Sequence, residues 1–215
     1  MTQIVHNFLT AKETNFLLSY YESKPYTSEK FTEYQGQQIA YNRHKNSDYD
    51  LTSSPVYHLL YPKLKKLLGP HIMDSGALLE SYYPYTIHLD TAQTFRDYNF
   101  YSHNKIENCL NIAVLISLNE DPSFKTVMFD YFADTIDVAH LPKIVPSNNI
   151  TSLDQYNLDL QHLTVQELKF VKNLKISDVY DWTAGGLVTW DRNQLHCSSN
   201  FYPSGKQKKA IVLFL

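Results

Sequence analysis

His88 and Asp90 stand two residues apart in Tyr85-Thr86-Ile87-His88-Leu89-Asp90. On a β-strand, residues i and i+2 share a face, so both side chains can reach one cation while Leu89 packs behind them. A later histidine, His196, completes a set of two imidazoles and one carboxylate. That set holds a non-haem Fe(II) from one side and leaves its other positions open for a co-substrate and O₂. A lone His-x-Asp says little in a chain with 9 histidines and 22 acidic residues. Here it occurs once, at the end of the apolar and aromatic run Ala77 to Ile87, whose composition favours strand over helix. His88, Asp90 and His196 are therefore the candidate metal ligands and the candidate catalytic centre.

The elements that must position these residues are also legible. Trp190 to Asn200 reads as a turn feeding a short strand that carries His196, and Lys208 opens a last strand running to Leu215. A cation there can anchor a dicarboxylate. Strand alternation puts Lys206 and Lys208 on one face and Lys209 on the other. Cys109 to Leu118 is long and apolar enough for a central strand, in which Asn111 must find a polar partner if buried. Upstream, Thr10-Ala11-Lys12-Glu13 predicts a capping box opening one helix, and Ser54 to Leu68 predicts a second that stops at Gly69-Pro70. Asp134 to Asp178 interrupts the strand texture with two prolines, paired asparagines and a helix-start pattern at Thr164.

With 215 residues and 43% hydrophobic content, the chain can bury one substantial core. The expected organisation is a single domain, 1–215, with 1–74 as a helical N-terminal support, 75–215 as a β core and 134–173 as an insert. A net charge of −3 argues against gripping phosphate backbones as the main task, so nucleic acid is not the expected partner. No stretch approaches the ~18 apolar residues of a membrane span, and no secretory leader is visible, which leads to the expectation of a cytoplasmic protein without a membrane partner. The 2 cysteines, Cys109 and Cys197, read as reduced thiols. Trp182 and Trp190, flanking Gly185-Gly186, read as packing at the edge of the β core.

The ordered set of His-x-Asp, distal histidine and a basic residue twelve positions later resembles the 2-oxoglutarate- and Fe(II)-dependent oxygenases over residues 75–215. The pattern is similar to small stand-alone members of prolyl-hydroxylase-like and phytanoyl-CoA-hydroxylase-like type. Leu118-Asn119-Glu120 followed by Thr126-Val127-Met128-Phe129 is similar to a hairpin of that family. Its Gly-Gly-x-Thr turn is here Ser123-Phe124-Lys125-Thr126, without the glycines. Lys208-Lys209-Ala210-Ile211 is similar to the family's Arg-Lys-Ala-Ile ending.

The resemblance implies a mainly β fold with flanking helices, a double-stranded β-helix (jelly-roll, cupin-like) of about eight antiparallel strands. It implies Fe(II) on His88, Asp90 and His196, and 2-oxoglutarate as co-substrate with its far carboxylate on Lys208. Tyr82 and Asn111 would be further co-substrate contacts. O₂ would be the oxidant, ascorbate an ancillary reductant, succinate and CO₂ the by-products, and the insert 134–173 a lid. The carboxylate at Asp90 favours hydroxylation over halogenation. A small molecule, an amino acid or a peptidyl side chain all suit the substrate role, and the sequence gives no oligomeric state. Two other readings stay open: a catalytically silent β-barrel binding module, and a nucleic-acid-directed oxidative demethylase, which would need a basic groove.

Overall fold

The computed structural model describes residues 2–34, 37–46, 53–70, 77–82, 90, 112–132, 174–199 and 201–215. Its strands are β1 (Gln3–Val5), β2 (Ser28–Tyr34), β3 (Gln37–Asn46), β4 (Ala77–Ser81), β5 (Ile112–Ser117), β6 (Lys125–Phe132), β7 (Ile176–Asp181), β8 (Leu187–Asp191), β9 (Gln194–Ser198) and β10 (Lys208–Phe214). Among the described residues there are two α-helices, α1 (Ala11–Glu22) and α2 (Pro55–Leu68), and a short 3₁₀ turn at Tyr202–Ser204. Among the described residues, one sheet has seven strands in the order β1-β8-β5-β10-β4-β3-β2, and the other has three in the order β7-β6-β9. Every pairing is antiparallel. The result is an open jelly roll of two facing sheets with the helices outside.

Alternation on the central strands sorts the core into two layers. Val114 and Ile116 of β5 and Ile211 and Leu213 of β10 turn outward to meet Leu17 and Tyr21 of α1 and Val56, Leu60 and Leu64 of α2. Ala113, Leu115 and Ala210 turn inward, where Val188 and Trp190 of β8 join Met128 of β6 and Tyr180 of β7 across the gap. Lys208 lies on this inward set, in register with Ser81 of β4, whereas Lys209 is opposite Glu80 on the helix side.

Both expected helices form. Thr10 caps α1 with a reciprocal box: its Oγ1 accepts the Glu13 amide N–H at 3.3 Å, and its own N–H donates to Glu13 Oε2 at 2.7 Å. Glu13 also meets Lys63 of α2 at 2.9 Å, which ties the two helices together. At the far end of α1, Lys45 of β3 donates to the Tyr21 carbonyl at 3.1 Å. Thr10→Ala should cost about 1 kcal/mol of stability, read as a lower urea midpoint at unchanged slope. An unchanged midpoint would mean that the cap contributes nothing.

The N-terminal support is more than helical. β1 extends the large sheet beside β8, and β2 and β3 extend it beside β4. Their sequences, such as Ser-Glu-Lys-Phe-Thr-Glu-Tyr in β2, carry almost no apolar alternation; the buried residues of β3, Asn42 and Lys45, are polar. His88, Asn111, the insert 134–173 and the helix expected from Thr164 lie outside the described residues. No helix among those described is long and apolar enough to cross a membrane.

Candidate active site

The tight turn that carries the chain from β8 in the large sheet to β9 in the small one brings Asp90 and His196 together. His196 sits on the inward face of β9, opposite Met128 of β6. Its Nδ1 lies 2.9 Å from the Gln194 carbonyl oxygen, which can only accept, so Nδ1 carries the proton and Nε2 turns toward Asp90. Nε2 and Asp90 Oδ2 are 3.6 Å apart, and both side chains are nearly inaccessible, at 5% and 11% exposed. Asp90 is held through its backbone, which donates N–H to the Arg192 carbonyl at 3.1 Å. Its Oδ2 also accepts a 3.0 Å hydrogen bond from Trp190 Nε1. A buried imidazole and carboxylate, each oriented by a further hydrogen bond, have the donor chemistry of a metal site with its supporting shell. No group of three ligating side chains converges among the described residues, and the third expected ligand, His88, lies outside them.

Further along the same face stands Lys208, 1% exposed. Its Nζ crosses the gap to the small sheet and donates to the Lys125 carbonyl at 2.8 Å, with Ser198 Oγ at 3.4 Å. The rings of Trp182, Phe201 and Phe124 surround it, their centroids 4.7, 4.8 and 5.7 Å away. Among the described residues, no carboxylate forms an ion pair with it. Burial pushes its pKa down to about 7, and the same dry surroundings push the neighbouring Cys197 thiol up to about 12. The rings favour the cation, but a carboxylate would compensate it far better. A ligand bearing an anionic carboxylate fits this place.

The other two candidate lysines are occupied elsewhere. Lys206 is largely exposed and pairs with Asp121, whose carboxyl is held at about 2 first by that ammonium and then by Ser123. Lys209 points to the helix side, 3.8 Å from Glu80. The expected separation of Lys208 from Lys209 is therefore present.

Asn119 fixes the start of β10 from the end of β5. Its Oδ1 accepts the Lys209 amide N–H at 2.8 Å and its Nδ2 donates to the Gln207 carbonyl at 2.7 Å, clamping the backbone on both sides of Lys208. The Leu-Asn-Glu pattern signalled this strand end but not the clamp. The turn that follows works without glycines: Asp121 Oδ1 accepts from the Ser123 amide at 3.0 Å, and the Phe124 amide donates to the Asp121 carbonyl at 2.9 Å. An Asx turn begun by Asp121, with Pro122 at its second position, supplies the reversal.

Tyr82 departs from expectation. Its hydroxyl donates to Glu80 Oε2 at 3.2 Å, beside Tyr26, which donates to the same oxygen at 2.8 Å. Burial and then the Glu80 charge push the Tyr82 phenol up to about 12. This network lies on the helix side of β4, across the sheet from Lys208. Tyr82 follows β4 directly, and its bond to Glu80, which lies opposite Lys209, keeps it on the helix side. Trp182 and Trp190, in contrast, do more than pack: one lies against the candidate anchor and the other bonds to a candidate ligand.

No family model and no curated protein matches the sequence. Solved structures do match. The chain is similar to a 2OG-Fe(II) oxygenase family oxidoreductase from Burkholderia pseudomallei, at 9% identity and TM-score 0.53, covering 99% of this chain and 84% of that one. It is similar to SnoK, a non-heme alpha ketoglutarate dependent carbocyclase from nogalamycin biosynthesis, at 10% identity and TM-score 0.56, covering 99% and 78%. It is also similar to HygX from Streptomyces hygroscopicus, a structure with nickel and 2-oxoglutarate bound, at 9% identity and TM-score 0.52, covering 99% and 81%. The chain thus has the jelly-roll fold of the 2-oxoglutarate- and Fe(II)-dependent oxygenases.

Proposed function

We propose that this protein is an Fe(II)- and 2-oxoglutarate-dependent dioxygenase that hydroxylates a C–H bond of a small molecule, an amino acid or a peptidyl side chain. One observation carries the reading: a lysine ammonium buried without a carboxylate partner among the described residues, on the same inner face as the Asp90–His196 pair. Ser198, beside the ammonium, is two residues along the strand from His196, a step of about 6.8 Å. That separation suits a five-carbon dicarboxylate with one end at a metal and the other at Lys208.

In this reading His88, Asp90 and His196 hold the iron, and Lys208 receives the far carboxylate. Asn111 keeps its assignment as a co-substrate contact on sequence grounds, whereas Tyr82 does not. Bound iron supplies the activation of O₂ that no side chain here can provide. The chain's own residues do the positioning. The Gln194 carbonyl keeps the His196 proton on Nδ1 and leaves Nε2 as the ligand atom. Lys208 carries a proton to neutralise and orient the dicarboxylate, and Phe124, Trp182 and Phe201 exclude water around it. The balance is one C–H group, one 2-oxoglutarate and one O₂ giving one C–OH, one succinate and one CO₂.

The test is succinate formation by the purified protein with Fe(II), ascorbate and 2-oxoglutarate, with and without a panel of amino acids and peptides. Iron-dependent succinate is the expected result. Absence of both iron-dependent succinate and 2-oxoglutarate binding to the Mn(II)-loaded protein would overturn the proposal.

A further inference from the structure

One segment, the end of β8 and the turn into β9, grips Asp90 from two sides. Arg192, in the β8–β9 turn, accepts its backbone N–H, and Trp190, at the end of β8, donates to its carboxylate. The Trp190 ring also lies against His196, with centroids 4.8 Å apart and planes at 49°. Trp190 is opposite Ala113 of β5, whose small side chain leaves room for an indole on the inner face.

We infer that Trp190 is a positioning residue of the metal centre, whose indole N–H fixes the Asp90 carboxylate beside His196 before a metal arrives. This rests on the proposed iron site and adds a role that the sequence had assigned to packing. Asp90 stands in a turn, outside the described strands. A buried carboxylate without a fixed donor would either recruit water or rotate. The indole supplies a charge-assisted hydrogen bond in a space that excludes water. An indole N–H is also a donor only, with no lone pair to offer a metal and no charge to repel one. A lysine or arginine in the same place would oppose the cation, and a histidine would compete for it. Trp190 therefore orients the ligand without joining the coordination.

Packing and positioning separate in Trp190→Phe, which keeps an aromatic ring and removes the N–H. The measurement is Mn(II) affinity of the full chain by calorimetry, with Co(II) absorption as a second view of ligand geometry. Trp190→Phe should bind Mn(II) about 10- to 100-fold more weakly, with an altered Co(II) spectrum. Leu187→Val, on the opposite face of β8, should bind like the natural chain even if it lowers the melting temperature. Wild-type Mn(II) affinity in a folded Trp190→Phe would overturn the inference and leave the iron site standing. Failure of the natural chain to bind Mn(II) would sink both. Should Trp190→Phe not fold, the indole resonances of the natural chain decide. With 2 tryptophans there are two such signals, assigned through Trp182→Phe. Zn(II) should shift that of Trp190, and an unmoved signal would overturn the inference.

Discussion

In His196→Ala, Mn(II) affinity should fall by at least about 100-fold, beyond the range typical of losing a supporting hydrogen bond, because a ligand itself is gone. Iron-dependent succinate should vanish with it. Asp90→Ala should do the same and should also leave the Trp190 N–H without its carboxylate. The fold should survive both changes, because the helix-side layer around Leu17, Leu60 and Ile116 is built from other residues. Calorimetric titration of each variant, with circular dichroism as the control for folding, decides the matter. A folded His196→Ala with natural Mn(II) affinity would remove His196 from the metal centre.

Lys208→Met should move binding and stability in opposite directions. Without the ammonium, 2-oxoglutarate would bury a carboxylate against Trp182, Phe124 and Phe201, and its affinity should drop by about 100-fold or more. Lys209→Ala, on the helix side, should change it little. The ligand-free variant should be more stable by about 1–4 kcal/mol, since methionine fills similar space and has no charge to desolvate. This gain depends on pH. Burial lowers the folded-state pKa from 10.5 to about 7, while the unfolded chain keeps the ordinary value. Above the unfolded pKa the amine is neutral in both states and its burial is not penalised. As pH falls toward 7 the unfolded chain takes up the proton first, and below 7 the penalty is complete. Urea midpoints at pH 6 and pH 10 should therefore show the larger benefit of Lys208→Met at pH 6. An equal benefit at both values, or a loss at pH 6, would contradict an uncompensated buried ammonium.

Much of this arrangement is legible in the sequence because strand alternation is a rigid rule wherever a strand is regular. Lys208 and Lys209 fall on opposite faces as their parity requires, and the capping box at Thr10 and the stop at Gly69 bound their helices. Tyr82 is not placed this way: the resemblance implies it as a co-substrate contact, whereas its hydroxyl bonds to Glu80, whose register with Lys209 puts it on the helix side. The polar strands β2 and β3 escape detection because the end of a sheet needs no apolar stripe. Trp182 and Trp190 look alike in sequence, since a tryptophan that packs and one that also donates to a ligand have the same composition and neighbours. Only the placement of Asp90 and Thr126 as their acceptors separates the two roles from plain burial.

Several of the contacts that build the site are remote along the chain. Asp90 and Trp190 are 100 residues apart, Asn119 and Lys209 are 90 apart, and Lys208 reaches Lys125 across 83. Loop closure on that scale comes at an entropic cost before any of these bonds forms, so no local segment can nucleate the centre. The helices and the β2–β3 hairpin can organise from nearby residues, while the ligand pair and the buried lysine take shape as the two sheets close. A metal ion or a dicarboxylate that prefers the finished site therefore acts on the native side of the folding barrier, lengthening the lifetime of the folded chain without hastening its formation.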